Sequence, residues 1–196
     1  MSAAACAPHR FVWNTSSPCD NGREAMMNTM YGDIKTAVKN SLAGKHRVAI
    51  GMFRKLLAAS AAHDPVLRAE AGFAFDRSGN EAEAIPLYQS ALQGDLPDPM
   101  RVGVYFCLAS SYRNVGKNAL ARAAVREALS LFPGEPLFLV MSAILDFDGG
   151  RPQKSVACLL QVIARHVQGH SLDPYRWFFE RESRKIRRGH GEARSV

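Results

Sequence analysis

Apolar residues recur along this chain at helical spacing. Between residues 65 and 98, Gly72 and Phe75 share one face, and Ala84, Tyr88 and Ala91 follow at i, i+4 and i+7 on another. Gly79 separates the two stripes, and glycine readily takes the left-handed conformation that ends a helix. The pattern predicts a helical hairpin. Its small residues let two backbones approach closely, and its rings fill the space beside them. Truncating such a ring to alanine typically costs ~3–5 kcal/mol, a large part of a domain's usual ~5–15 kcal/mol margin.

The same pattern returns at a fixed step of 37 residues, as Ala109, Tyr112, Gly116, Ala121, Val125 and Ala128. Self-similarity at such a period marks an array of stacked helical hairpins. Two fainter units flank this pair. Upstream, Gly44, Ala49, Phe53 and Leu56 precede Gly79, Ala84, Tyr88 and Ala91 by 35 residues. Downstream, Ala143, Gly150, Ser155, Leu159 and Val162 follow the second unit by 34. This last unit departs from the pattern, with Asp146 in an aromatic position and Ser155 for alanine.

Helix starts are marked by an acid before a proline: Asp64-Pro65, Asp98-Pro99, Glu135-Pro136 and Asp173-Pro174. The acid can cap free N–H groups, and proline suits the first helical position because it needs no partner there. Arg151-Pro152 opens another helix without an acidic cap. Pro99 precedes the register of its repeat by about one turn, which predicts a longer first helix and accounts for the wide period. Asn80 with Glu83 predicts a capping box. Pro86 lies past the first turn of its helix and predicts a mild kink or a later start. A first helix is expected over 28–42 and, from Pro174, a last one carrying Tyr175, Phe178, Phe179 and Ile186 along one side. The last helix fits a terminal cap, with Arg184, Arg187 and Arg188 left to solvent.

Small, aromatic, glycine, alanine, aromatic, alanine and a closing Pro133, in this order and spacing, resemble the tetratricopeptide repeat. The run from Phe75 to Tyr88 is most similar to the bacterial group 5 branch of that superfamily. The resemblance covers roughly 30–169. It implies an all-α right-handed solenoid of about four hairpins with a C-terminal capping helix. It also implies a non-enzymatic protein–protein interaction scaffold whose concave groove holds a peptide or helix. Carried over position by position, the groove would be lined by Ala69, Phe73, Asp76 and Arg77, then Phe106, Ser110, Arg113 and Asn114, then Val140, Ile144, Phe147 and Asp148. Its floor is apolar and its sides carry arginines. Such a floor suits a helical or extended peptide. The competing assignment puts Phe73, Phe106 and Ile144 in the core. Some members grip a C-terminal carboxylate with Lys and Asn at fixed positions. Here those positions hold Ile34, Val38, Ala69, Phe73, Phe106 and Ser110, so that clamp is not expected.

Composition narrows the reading. At 196 residues, with 47% hydrophobic and 22% charged, the chain resembles an ordinary soluble domain. No apolar run approaches the ~20 residues of a membrane span, and the N-terminus shows no apolar secretory core. The four cysteines lie far apart, and Cys107 and Cys158 fall inside predicted helices, where a free thiol behaves as a small apolar residue. These features predict a cytoplasmic protein. The expected organisation is a disordered tail over 1–27, a repeat domain over 28–172, and a capping helix with a basic tail over 173–196. Met26, Met27 and Met30 stand just before the first helical pattern and offer an alternative start, which mass spectrometry of the native N-terminus would test.

Of the net charge of +7, the tail from 174 holds seven Lys/Arg against three acids. Arg184, Lys185, Arg187 and Arg188 could meet nucleic acid, an acidic protein or anionic lipid through sequence-independent attraction. Nucleic-acid binding there is the alternative to the groove. Glu180 and Arg184, paired at i, i+4, equally suit a solvated helix face. His166 and His170 share that spacing, but no metal site is expected from them. No phosphate-binding glycine loop occurs. Neither a catalytic residue nor a cofactor is expected; self-association is a possible partner mode.

Overall fold

The computed structural model describes residues 21–60, 64–169 and 173–188. Among them there are α-helices and one short 3-10 helix, and no strand. The chain divides into two compact units at Val115 and Gly116.

The first unit holds α1 (Asn21–Leu42), α2 (His46–Ala59), α3 (Pro65–Arg77), α4 (Glu81–Leu92) and α5 (Asp98–Asn114). Successive helices pack on one another, and α3 also touches α1 and α5. The hairpin of α3 and α4 closes as its sequence dictates. Gly79 has φ 79°. Its amide donates to the Asp76 carbonyl at 2.9 Å, and the Asn80 amide donates to Phe75 at 3.0 Å. These bonds satisfy carbonyls that the helix end leaves open. Gly72 explains the small-residue position: a Cβ there would stand 2.6 Å from the ring of Tyr88. Ala84, Tyr88 and Ala91 are fully buried, as are Phe53, Leu67 and Val104 of the same unit.

The second unit holds α6 (Asn118–Leu131), α7 (Pro136–Asp148), α8 (Pro152–His166), a 3-10 turn (Asp173–Tyr175) and α9 (Arg176–Arg188). The α7–α8 hairpin turns at Gly150, φ 71°. Its core is built on Phe138, Ala143, Leu145 and Ala157. The last helix packs on α8, and the buried Ser183 hydroxyl donates to the Ala157 carbonyl at 2.8 Å.

Several local expectations are corrected. α1 begins at Asn21 rather than 28; residues 1–20 of the expected tail lie outside the described residues. Asp64 caps α3 through the amides of Val66 and Leu67, and Glu135 caps α7 through Leu137. Asp98 does not cap: α5 includes it, behind Pro97. α5 is nonetheless longer than α3, 17 residues against 13. Asn80 makes no capping bond; its amide donates to Ser78 Oγ at 2.9 Å instead. α4 starts at Glu81 and runs through Pro86. Pro86 and Ala82 are both exposed, so the carbonyl that the proline leaves unpaired faces water. Asp173-Pro174 opens the 3-10 turn, and α9 starts after it. Cys107, expected as a free thiol, is buried and disulfide-bonded; Cys158 keeps its thiol, which donates to the Leu139 carbonyl at 3.5 Å. Sequence separation does not decide which thiols meet, because the fold sets their distance. Cys107 therefore lends no weight to a reducing compartment. Among the described residues no helix is long and apolar enough to cross a membrane.

Candidate functional site

The first helix of each hairpin supplies the candidate binding faces. In the first unit α3 is already committed to the core. Phe73 is only 9% exposed and packs on Tyr88 with ring centroids 5.6 Å apart. It is core rather than lining, because α3 has neighbours in α1, α4 and α5. Arg77 is half-buried and donates to Ser41 Oγ at 3.2 Å. Asp76 accepts from the Ser111 hydroxyl at 3.1 Å and from the Tyr88 hydroxyl at 3.3 Å. Burial pushes the Asp76 carboxyl up to about 6, partly offset by these two bonds. The same burial, with Asp76 beside it, pushes Tyr88 well above the ordinary tyrosine value. This cluster ties α3, α4 and α5 together and leaves little for a ligand.

On α5, Phe106, Ser110 and Arg113 are half-buried and Asn114 is exposed. The Asn114 amide donates to Glu81 Oε1 at 3.2 Å. In the second unit α7 carries Val140 and Ile144, both half-buried, and Phe147, which is 64% exposed. Their spacing of four and three residues puts them on one stripe.

Immediately beside Phe147, Asp146 points the other way. It is 3% exposed. Arg151 meets it at 2.8 Å, Arg122 at 3.2 Å and Lys154 at 3.2 Å. Arg122 also donates to the Leu145 carbonyl. Burial alone would raise the Asp146 carboxyl, but the bonds from Arg151, Lys154 and Arg122 together hold it below the ordinary value.

A family model described as Tetratrico peptide repeat matches residues 65–173, more than half of the 196-residue chain. The chain belongs to the tetratricopeptide repeat family, in its group 5 type. No curated protein and no solved structure matched. In tetratricopeptide terms, Phe75, Tyr88 and Tyr112 are the buried rings of the repeat, 2%, 0% and 6% exposed. Asp146 stands where such a ring would be. The matched segment covers α3 to α8 and ends where the 3-10 turn begins, so α9 lies beyond it.

Of the basic tail, Arg184 and Lys185 are exposed on α9, and Arg184 approaches Glu180 at 3.8 Å. Arg187 and Arg188 belong to the same helix, but their side chains lie outside the described residues. His166 is exposed at the end of α8, and His170 lies outside the described residues. Among the described residues no group of three or more His, Cys, Asp or Glu is placed to hold a metal. Sequence reasoning missed Trp177, which is 56% exposed on α9, and placed Tyr175 and Phe178 on the packed side, where they are 58% and 41% exposed. The spacing of Trp177 from Arg181, i to i+4, was the available signal.

Proposed function

We propose that this tetratricopeptide protein is a non-enzymatic scaffold that binds a peptide or helix of a protein partner along the inner faces of its first helices. The observation that carries the reading is the stripe of Val140, Ile144 and the 64%-exposed Phe147 on α7. A large ring left in water at a repeat's inward position suits an apolar anchor from a partner, with Asp148 beside it as a polar contact. On α5, Phe106, Arg113 and Asn114 offer a second face of mixed character. Phe73 has no part in this reading, because its ring is held by Tyr88.

The test is affinity capture by the full chain, compared with Phe147→Glu and Phe106→Glu, each checked by circular dichroism. Phe147 is exposed, so its replacement should leave helix content unchanged. The reading expects a protein that the wild type retains at moderate salt and the folded Phe147→Glu variant loses. Identical capture by wild type and both folded variants would sink it. Capture that vanishes with salt alone would instead favour the basic segment.

A further inference from the structure

Aromatic side chains stand in water at the start of α9, where a terminal cap would be expected to bury them. Tyr175 is 58% exposed, Trp177 56% and Phe178 41%. The helix does not need them for packing. Its inner side is Ser183, buried and bonded to α8, with Phe179 and Ile186 half-buried beside it. On the outer side the Arg181 guanidinium lies over the rings of both Trp177, at 5.1 Å, and Phe178, at 5.5 Å. Glu182 holds that guanidinium, accepting from Nε at 3.1 Å. Further along, Arg184 and Lys185 are exposed. One surface thus presents rings at its beginning and cations after them. Residues 173–188 carry six Lys/Arg against three acids.

The partner must accept apolar rings and positive charge together. A second copy of this chain, docked symmetrically, would set cation against cation. A peptide needs a groove, and the outward side of a lone helix is convex. A single nucleic-acid strand would use parallel stacking faces, but Trp177 and Phe178 lie at 90° and Phe178 and Phe179 at 77°. The boundary of an anionic bilayer demands no such alignment. It offers phosphates at the level of a guanidinium and hydrocarbon just below, and tryptophan and tyrosine concentrate there. We infer that α9 is a peripheral docking surface for an anionic lipid bilayer. Tyr175, Trp177 and Phe178 enter the headgroup boundary, while Arg181, Arg184 and Lys185 meet lipid phosphates. This surface is separate from the stripe on α7 and does not depend on it.

The experiment uses the full chain carrying Trp13→Phe, which leaves Trp177 as its single tryptophan. Vesicles of phosphatidylcholine are compared with vesicles that also contain phosphatidylglycerol. With the anionic vesicles, Trp177 emission should shift to the blue and be quenched by brominated lipid. Flotation with phosphatidylcholine alone should be weaker by about tenfold or more. By flotation, Trp177→Ser/Phe178→Ser should lose about tenfold. Arg184→Glu/Lys185→Glu should lose at least as much at low salt, with unchanged circular dichroism. The inference is overturned if the wild type does not float with anionic vesicles, or if both variants float as it does. It is equally overturned if only a single-stranded oligonucleotide shifts Trp177, or if the rings serve only a concentration-dependent dimer.

Discussion

Phe75 and Asp146 hold the same place in two hairpins, one in each unit. Each lies four residues before its turn glycine, and each carbonyl accepts the closing bond of the turn, from Asn80 at 3.0 Å and from Arg151 at 2.9 Å. Both are nearly inaccessible, at 2% and 3%. In both, an arginine arrives from the preceding helix. Arg54 of α2 lies over the Phe75 ring at 5.6 Å, and Arg122 of α6 bonds the Asp146 carboxylate. The backbone solution is therefore shared, while the filling differs. The ring is stabilised by leaving water and needs no particular neighbour. The carboxylate is tolerable only while its cations surround it. The repeat's geometry tolerates either filling, but the second makes that hairpin conditional on the arginines that meet the carboxylate, Arg122 and Arg151.

The comparison breaks most sharply if the fillings are exchanged without their surroundings. Phe75→Asp would lose a buried ring and place a carboxylate where a single arginine, itself paired to Glu83 at 2.9 Å, is near. We expect a loss on the order of 5 kcal/mol, enough to unfold the first unit, read from urea denaturation followed by circular dichroism. A cooperative transition within 1 kcal/mol or so of wild type would show that the position is less demanding than burial implies.

A smaller effect isolates the charge. Asp146→Asn keeps the shape but leaves Arg122, Arg151 and Lys154 around a neutral amide, which should cost about 2–3 kcal/mol. Lys154→Met is the internal contrast. Its side chain is 65% exposed, so it should cost less than about 1 kcal/mol. Equal losses from the two would contradict the idea that the buried carboxylate organises the cluster.

The smallest effect is in pH. Asp76 and Asp146 are displaced in opposite directions from the ordinary 3.8. Asp76, raised to about 6, favours the folded unit when protonated. Its contribution is fully present below the unfolded value and is lost as pH rises through about 6. Asp146 is lowered, so its contribution is present above the unfolded value and is lost only as pH falls through the folded one. Going from roughly pH 7 to roughly pH 5 should stabilise α3 by about 1 kcal/mol and leave α7 unchanged, with Asp76→Asn removing most of the difference and Glu70 of the same helix, also raised by burial, keeping the rest. Amide hydrogen exchange, corrected for its intrinsic pH dependence, reads both helices in one experiment. Parallel responses in α3 and α7 would refute the opposition.

The fold was legible because its determinants are local and repeated. Gly72 to Ala91 encodes close approach, turn and ring at fixed spacing. What sequence could not assign was which neighbour each face meets. Phe73 reads equally as lining or as core until α1 and α5 are seen against α3. Asp146 was visible as a departure, but Arg122 lies 24 residues away and nothing in the spacing joins them. Asn80 carried a capping signature and turned to Ser78 instead, since short polar side chains have several local partners within reach. The rings of α9 look like a buried stripe by periodicity, and only their exposure distinguishes them.

Gly72 and Tyr88 carry one further implication, for how such repeats could be recombined. The missing methyl group and the ring occupy a single volume, so neither position can be inherited alone. A hairpin whose first helix bears alanine at this place would need a smaller residue than tyrosine opposite it. Grafting α4 without α3 would set the Tyr88 ring 2.6 Å from any Cβ at the place of Gly72, and grafting α3 without α4 would leave that volume unfilled unless a ring faced it. The exchangeable module here is the pair of helices, and its natural seams fall at Asp64 and after Leu92.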